Sequence, residues 1–180
     1  MVDFTLYPSP PVFLRTPVFL RAQPAWWVAG SLVTVADLST YANQPILFRG
    51  RNFKLTADTL YLRDVETLSE EAMQRALGQI LKARINAMLP MLNDRFEAEP
   101  ARISIKRMKT RWGSCRPDRR TLSINLHLVH LADELLEYVL VHEYAHFFAR
   151  GHGRDFYQLM DQHCPDWKQR RKLLNAAVKG

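Results

Sequence analysis

Cysteine is scarce in this chain: its 180 residues contain two, Cys115 and Cys164. Two thiols cannot build a disulfide framework, and their separation is not that of a Cys-x-x-Cys metal or redox motif, so both are expected as reduced thiols. Long apolar runs are missing too. No stretch approaches the roughly 20 residues of a membrane-spanning helix, and Met1-Val2-Asp3-Phe4 lacks the basic head and apolar core of a secretory signal. These absences lead to the expectation of a soluble, cytoplasmic protein with no membrane partner. There is no glycine pattern of a Walker or dinucleotide site, no paired zinc-finger spacing, no RNA-binding aromatic motif and no internal repeat. One main domain with an extension is the size this length favours.

Charge of one sign is concentrated rather than spread. Lys and Arg number 25 against 18 Asp and Glu, a net charge of +7. Residues 102–120 hold eight of the cations (Arg102, Lys106, Arg107, Lys109, Arg111, Arg116, Arg119 and Arg120) against one acid, Asp118. A second cluster follows at Lys168, Arg170, Arg171 and Lys172. Such a stretch suits an acidic protein, a phosphate-bearing substrate or a nucleic acid, or it is simply a solvated face.

Five prolines within the first 24 residues oppose helix and weaken a central strand, which predicts an extended arm laid on the domain through Phe13, Val18, Phe19 and Leu20. Trp26–Val35, Ile46–Phe48, Phe53–Leu55 and Thr59–Leu62 read as short strands of an antiparallel sheet. Residues 1–65 thus form a proline-rich arm with a small β-rich region, and 66–180 a second unit. From Ser69 the period becomes helical, with Pro90 expected as a kink in a helix reaching towards Pro100. Arg102–Ile105 and Thr121–Leu126 alternate as strands, and Trp112-Gly113-Ser114 with Pro117-Asp118 offers turn chemistry between them. Another helix is predicted from Ala132, capped by Asp133 and ended by a left-handed Gly151. Further helices are expected over 155–162 and 166–177, separated by Cys164-Pro165.

The second of these helices, the one starting at Ala132, carries His142-Glu143-Tyr144-Ala145-His146. Residues four apart stand one above the other on a helix, so His142 and His146 can direct imidazoles at one Zn²⁺ while Glu143 projects beside it. His152, just past Gly151, is the natural third ligand, leaving a fourth position for water. His163 is the alternative, and Asp155 or Asp161 could accept a ligand N–H. His127 and His130 read as surface or structural residues. The chemistry that follows is hydrolysis, with a metal-activated water and Glu143 as general base. Arg111, Arg154 and Tyr157 are candidate contacts to an oxyanion or a substrate carboxylate.

Lys109–Cys115, Ser123–Leu128, Glu137–His146 and His152 with Phe156 and Pro165-Asp166, in this order and spacing, resemble the YgjP-like, SprT-related zinc metallopeptidase domain over about residues 70–175. The resemblance implies an α+β, minimal zincin-like fold, with helices on a small antiparallel or mixed sheet and a β-rich N-terminal extension. It implies His142, His146 and His152 as Zn²⁺ ligands, Glu143 as base, a polypeptide substrate, and a strand beside the cleft that pairs with it. That strand is expected to be the one carrying Ser123–Leu126, with Asn125 a further candidate contact. Gly153 departs from the pattern, replacing a hydroxyl residue that would cap the next helix. A hydrolase of a phosphate-containing metabolite, and a nucleic-acid-binding module with a structural metal, remain alternatives.

Overall fold

The computed structural model of the chain describes residues 18–20, 23–28, 30–50, 53–63 and 69–179. The arm expected over residues 1–24 lies outside these as far as residue 17, and Phe13 with it. The described residues form two mixed sheets and four α-helices, an α+β arrangement.

The first sheet contains β1 (Val18–Leu20), β2 (Gln23–Val28), β3 (Ser31–Asp37), β4 (Phe48–Gly50), β5 (Phe53–Leu55) and β6 (Thr59–Leu62), in the order β1-β2-β3-β6-β5-β4. Residues 18–20 and 23–24, expected in the arm, belong to this sheet. Pro24 is tolerated in β2 because it sits opposite Phe19 of β1, beyond the β2–β3 register, which begins at Ala25↔Thr34. At that position no second neighbour asks for the N–H that proline lacks. The sheet is mixed rather than antiparallel: β3 and β6 run parallel, joined by a crossover long enough to contain the β4–β5 hairpin. The strongly buried Val33, Val35, Leu55, Leu60 and Leu62 join the core.

Helix α1 (Glu70–Phe96) starts where Ser69 Oγ accepts from Ala72 N at 3.2 Å, with Glu70 and Glu71 in the positively polarised first turn. It runs through Pro90 and ends at Glu97, whose φ of 47° is left-handed. Its buried stripe of Leu77, Ile80, Leu81, Ile85 and Leu92 also contains an arginine, Arg84, with a side chain 0% exposed. Arg84 donates to the carbonyls of Leu128, Val129 and Leu131 at 3.3, 2.9 and 2.7 Å, and to Asp133 Oδ1 at 2.7–2.9 Å. One guanidinium therefore saturates the backbone of the 3-10 turn 126–130 and the entry of the next helix.

The second sheet has the order β7-β9-β8, with β7 (Arg102–Lys106) parallel to β9 (Thr121–Asn125) and β8 (Gly113–Arg116) antiparallel to it. Two sequence expectations change here. Residues 113–116 are a strand, not a turn; the reversal is made afterwards by the 3-10 turn Pro117–Arg119 and a left-handed Arg120. And β9 is central, with both sides paired, so it has no open edge.

Helix α2 (Asp133–Ala145) is preceded by Ala132, not capped by Asp133, whose carboxylate is taken by Arg84. It ends at Ala145 through tight bonds, Phe147 N to Tyr144 O and Phe148 N to Ala145 O, so no left-handed Gly151 is needed; Gly30 is the one described glycine with positive φ. Helices α3 (Arg154–His163) and α4 (Trp167–Lys179) follow, and α2 packs against both. Glu137 of α2 joins Arg95 of α1 at 3.0 Å and Arg170 of α4 at 2.7 Å. Arg170 is thereby drawn out of the second basic cluster into an interhelical network, and its pKa is raised by Glu137 and Asp166 against the opposing effect of burial.

Candidate metal centre and active site

The apolar length of α2 fixes what its last turn can present. Val139, Leu140 and Val141 are buried around the helix, and on the next turn His142, Glu143 and His146 are buried as well. Past the tight exit at residues 146–149 the chain doubles back, bringing His152 against the helix. Nε2 of His142 and Nε2 of His152 lie 3.2 Å apart. Ligand nitrogens of His142, His146 and His152 all lie within 4.8 Å of one another. Two imidazole nitrogens on a tetrahedral zinc are separated by about 3.3 Å, so the donor set and its spacing fit a divalent metal.

The imidazoles are held for that task. Nδ1 of His146 is 2.9 Å from the carbonyl oxygen of Ala149, which can only accept, so Nδ1 carries the proton and the Nε2 lone pair is left for a metal. This carbonyl takes the place expected for Asp155 or Asp161; Asp161 instead accepts from Trp167 Nε1 at 2.7 Å. Burial first, then the neighbouring imidazoles, holds His142 well below the ordinary histidine pKa, and burial likewise lowers His146. Both shifts favour the neutral, ligating form. Phe156, on the first turn of α3, touches all three rings, with centroids 4.8, 4.8 and 4.5 Å from His142, His146 and His152. Four residues past His152, it packs one side of the cluster.

Glu143 is 3% exposed and lies against Gly113 of β8. A Cβ at residue 113 would stand 2.5 Å from Glu143 Oε1 and 2.8 Å from its Cγ, so glycine is the residue that lets this strand and this carboxylate approach. Burial pushes the Glu143 carboxyl up to about 8, while Arg111 acts in the opposite direction. Cys115, also on β8, has its thiol pushed up to about 12, first by burial and then by the Glu143 charge. It is therefore a neutral thiol at ordinary pH.

The other candidates are dispersed. His163 stacks on Phe96 with centroids 4.1 Å apart and is outside the histidine cluster, as are His127 and the buried His130. Asn125 is buried; its Nδ2 donates to the carbonyls of Met108 and Arg111 at 2.9 and 2.7 Å, and its Oδ1 accepts from Met108 N and His127 N. It therefore shapes the loop that carries Arg111. Arg154 is exposed at the start of α3, and Tyr157 is 36% exposed with its ring stacked on Trp167 at 5.3 Å. Two residues escape the motif-based reading. Gly113 is inside the Trp-Gly-Ser-Cys motif but gives no hint of its partner, and Arg84 is signalled only as a cation on the apolar stripe of α1.

No helix among the described residues is long and apolar enough to cross a membrane. No curated protein matches the chain. Among solved structures, the metallopeptidase zymogen abylysin of Pyrococcus abyssi is similar at 18% identity and a TM-score of 0.49, over 53% of this chain and 95% of that one. The metallopeptidase zymogen jannalysin of Methanocaldococcus jannaschii is similar at 27% identity and a TM-score of 0.43, over 52% of this chain and 86% of that one. Residues 42–177, which include the histidine triad, Glu143 and the strand laid over it, match the YgjP-like metallopeptidase domain, and the chain belongs to that family.

Proposed function

We propose that the protein is a zinc-dependent endopeptidase in which His142, His146 and His152 hold Zn²⁺ and Glu143 is the general base. The observation that carries this reading is the convergence of three histidine nitrogens within 4.8 Å beside a buried glutamate fixed against an edge strand. When bound there, zinc supplies an activated water and an electrophile for the scissile carbonyl. Glu143 takes a proton from the water and delivers it to the departing amine. Burial raises the Glu143 carboxyl, and a cation held by the three histidines would draw it back towards the ionised form that accepts a proton. Arg111 lies close enough to act on the charge of Glu143, and Asn125 fixes its loop by holding its carbonyl. His146 is kept in one tautomer by Ala149, and Phe156 packs against all three imidazoles.

The substrate strand pairs along β8, not β9. Among the described residues β8 pairs on one side alone and packs against α2. An extended peptide added to that edge runs past Gly113, which brings its backbone over Glu143.

The test combines metal analysis with a peptide library read by mass spectrometry. Protein purified without added metal is expected to hold one zinc per chain, reduced in H142A, H146A and H152A. E143Q is expected to retain the zinc while losing peptide hydrolysis by orders of magnitude, because an amide of the same shape cannot accept the proton. Equal turnover of E143Q and wild type at matched zinc would reject the general base. Phosphate-metabolite hydrolysis with intact peptides would reject the peptidase reading.

A further inference from the structure

The proposed active site uses one edge of the three-stranded sheet, and the opposite edge borders a groove. Among the described residues, β7 pairs with β9 alone. This groove of about 880 Å³ is lined by residues of β7 and of α1. Alternation along β7 divides its side chains. Ser104 turns to Leu122 O and Ser123 Oγ, while Ile103 and Ile105 line the groove together with Ile85, Leu89 and Leu126. Gly78 leaves the helix side of this floor open, since a Cβ there would meet only Leu126 Cδ1, at 3.9 Å. Five cations line it, Arg75, Lys82, Arg102, Lys106 and Arg107, against two acids, Glu71 and Glu99. The contact of Arg107 with Glu70, 3.7 Å between exposed side chains, offsets little of that charge. None of the three histidines nor Glu143 borders the groove.

We propose that this groove docks an extended acidic segment of a partner polypeptide, which adds to β7 as a fourth strand. Backbone groups on the outer side of β7, unpaired among the described residues, supply register, the apolar floor takes alternate side chains, and the cationic border takes the carboxylates between them. The five residues of β7 span about 16 Å, enough for a strand of ordinary length. A single-stranded nucleic acid would satisfy the cations as well, but no aromatic side chain lines the groove to stack its bases. The charge and the open strand edge together therefore favour peptide. β7 and the β8 edge lie about 10 Å apart across β9, so a segment docked on β7 leaves the β8 edge open.

The probe is a fluorescent ten-residue peptide alternating valine and glutamate, titrated against full-length E143Q protein so that it stays intact. Its lysine counterpart and an oligothymidylate serve as comparisons. Hydrogen exchange of the E143Q protein is followed with and without each ligand. The expected result is saturable binding of the acidic peptide alone, slowed exchange over residues 102–106, and unchanged exchange over 113–116. Affinity should fall at least tenfold in R102E/K106E, which alters exposed side chains, and in G78L, which fills the floor while improving helix propensity. Complete protection of β7 in the free protein would overturn the proposal by showing that edge already covered. Protection confined to 113–116 would place the peptide at the active-site edge instead, and binding of the oligothymidylate over 102–106 in place of the peptide would assign the groove to nucleic acid. Cleavage by the wild-type enzyme is measured separately, so loss of the docking site and loss of the peptidase reading give different results.

Discussion

At the scale of single residues, the site depends on an atom that is missing. Gly113 has no Cβ, and the space such an atom would fill is occupied by the carboxylate and Cγ of Glu143. Gly113→Ala should therefore move Glu143, the proposed base, rather than unfold the chain. Misplacement of a catalytic group by about 1 Å costs roughly 10²-fold in rate. G113A is expected to keep wild-type zinc content and lose about that much kcat, measured on a peptide cleaved by the wild type; unchanged kcat would show that Glu143 can retreat without cost. That His142, His146 and His152 would cluster, with Glu143 on the same helix turn, could be read from the chain alone because helical period and donor chemistry are local properties. The role of Gly113 could not, since what it meets is 30 positions away and on another element. The same limit applies to His163: sequence distance left it as an alternative ligand, whereas stacking on Phe96 takes it elsewhere.

At the scale of elements, the helix bearing His142 and His146 is anchored from behind. Arg84 of α1 serves three carbonyls of the preceding segment and the Asp133 carboxylate, which is why Asp133 is not free to cap α2. Burial lowers the Arg84 pKa, and Asp133 opposes that shift. Removing the guanidinium leaves buried acceptors without a donor, at about 1–3 kcal/mol for each. R84M, which keeps much of the apolar volume, should destabilise the fold by about 3–5 kcal/mol, read as a lower urea midpoint. D133A should cost much less, because the carbonyls still hold Arg84 and the carboxylate is 58% exposed. An R84M unfolding free energy within about 1 kcal/mol of wild type would sink this account. The apolar stripe of α1 was legible as a helix, and the short alternating runs as strands. Their order was not: a pattern of period two marks a strand's faces and says nothing of its neighbours, which is why β9 could be mistaken for an edge. Likewise Trp112–Ser114 has turn composition, but pairing with β9 extends residues 113–116.

At the scale of the whole molecule, the N-terminal sheet is tied to the catalytic half at a definite point. The β2–β3 hairpin turns at Gly30, with φ +80°, and its N–H donates to His130 O at 3.0 Å. A side chain there would meet Ala132, whose Cβ is 2.9 Å from the position a Cβ would take. Composition separates residues 1–65 from the rest by their character, yet contacts of this kind leave no trace in composition.

That one hydrogen bond turns Gly30 into a gauge. Its amide spans the boundary between the hairpin and the segment that Arg84 anchors, so its exchange with solvent reports the free energy of parting the two. If opening there also loosens the ligand helix, bound zinc must slow the exchange, by the ordinary thermodynamic linkage between a ligand and the state that binds it. The expected outcome is slower Gly30 exchange in the zinc-loaded protein than after chelation, under conditions where exchange follows the opening equilibrium. Equal rates would mean that the hairpin opens while the metal stays in place. The amide would then measure a local event, and the N-terminal sheet could detach without informing the active site.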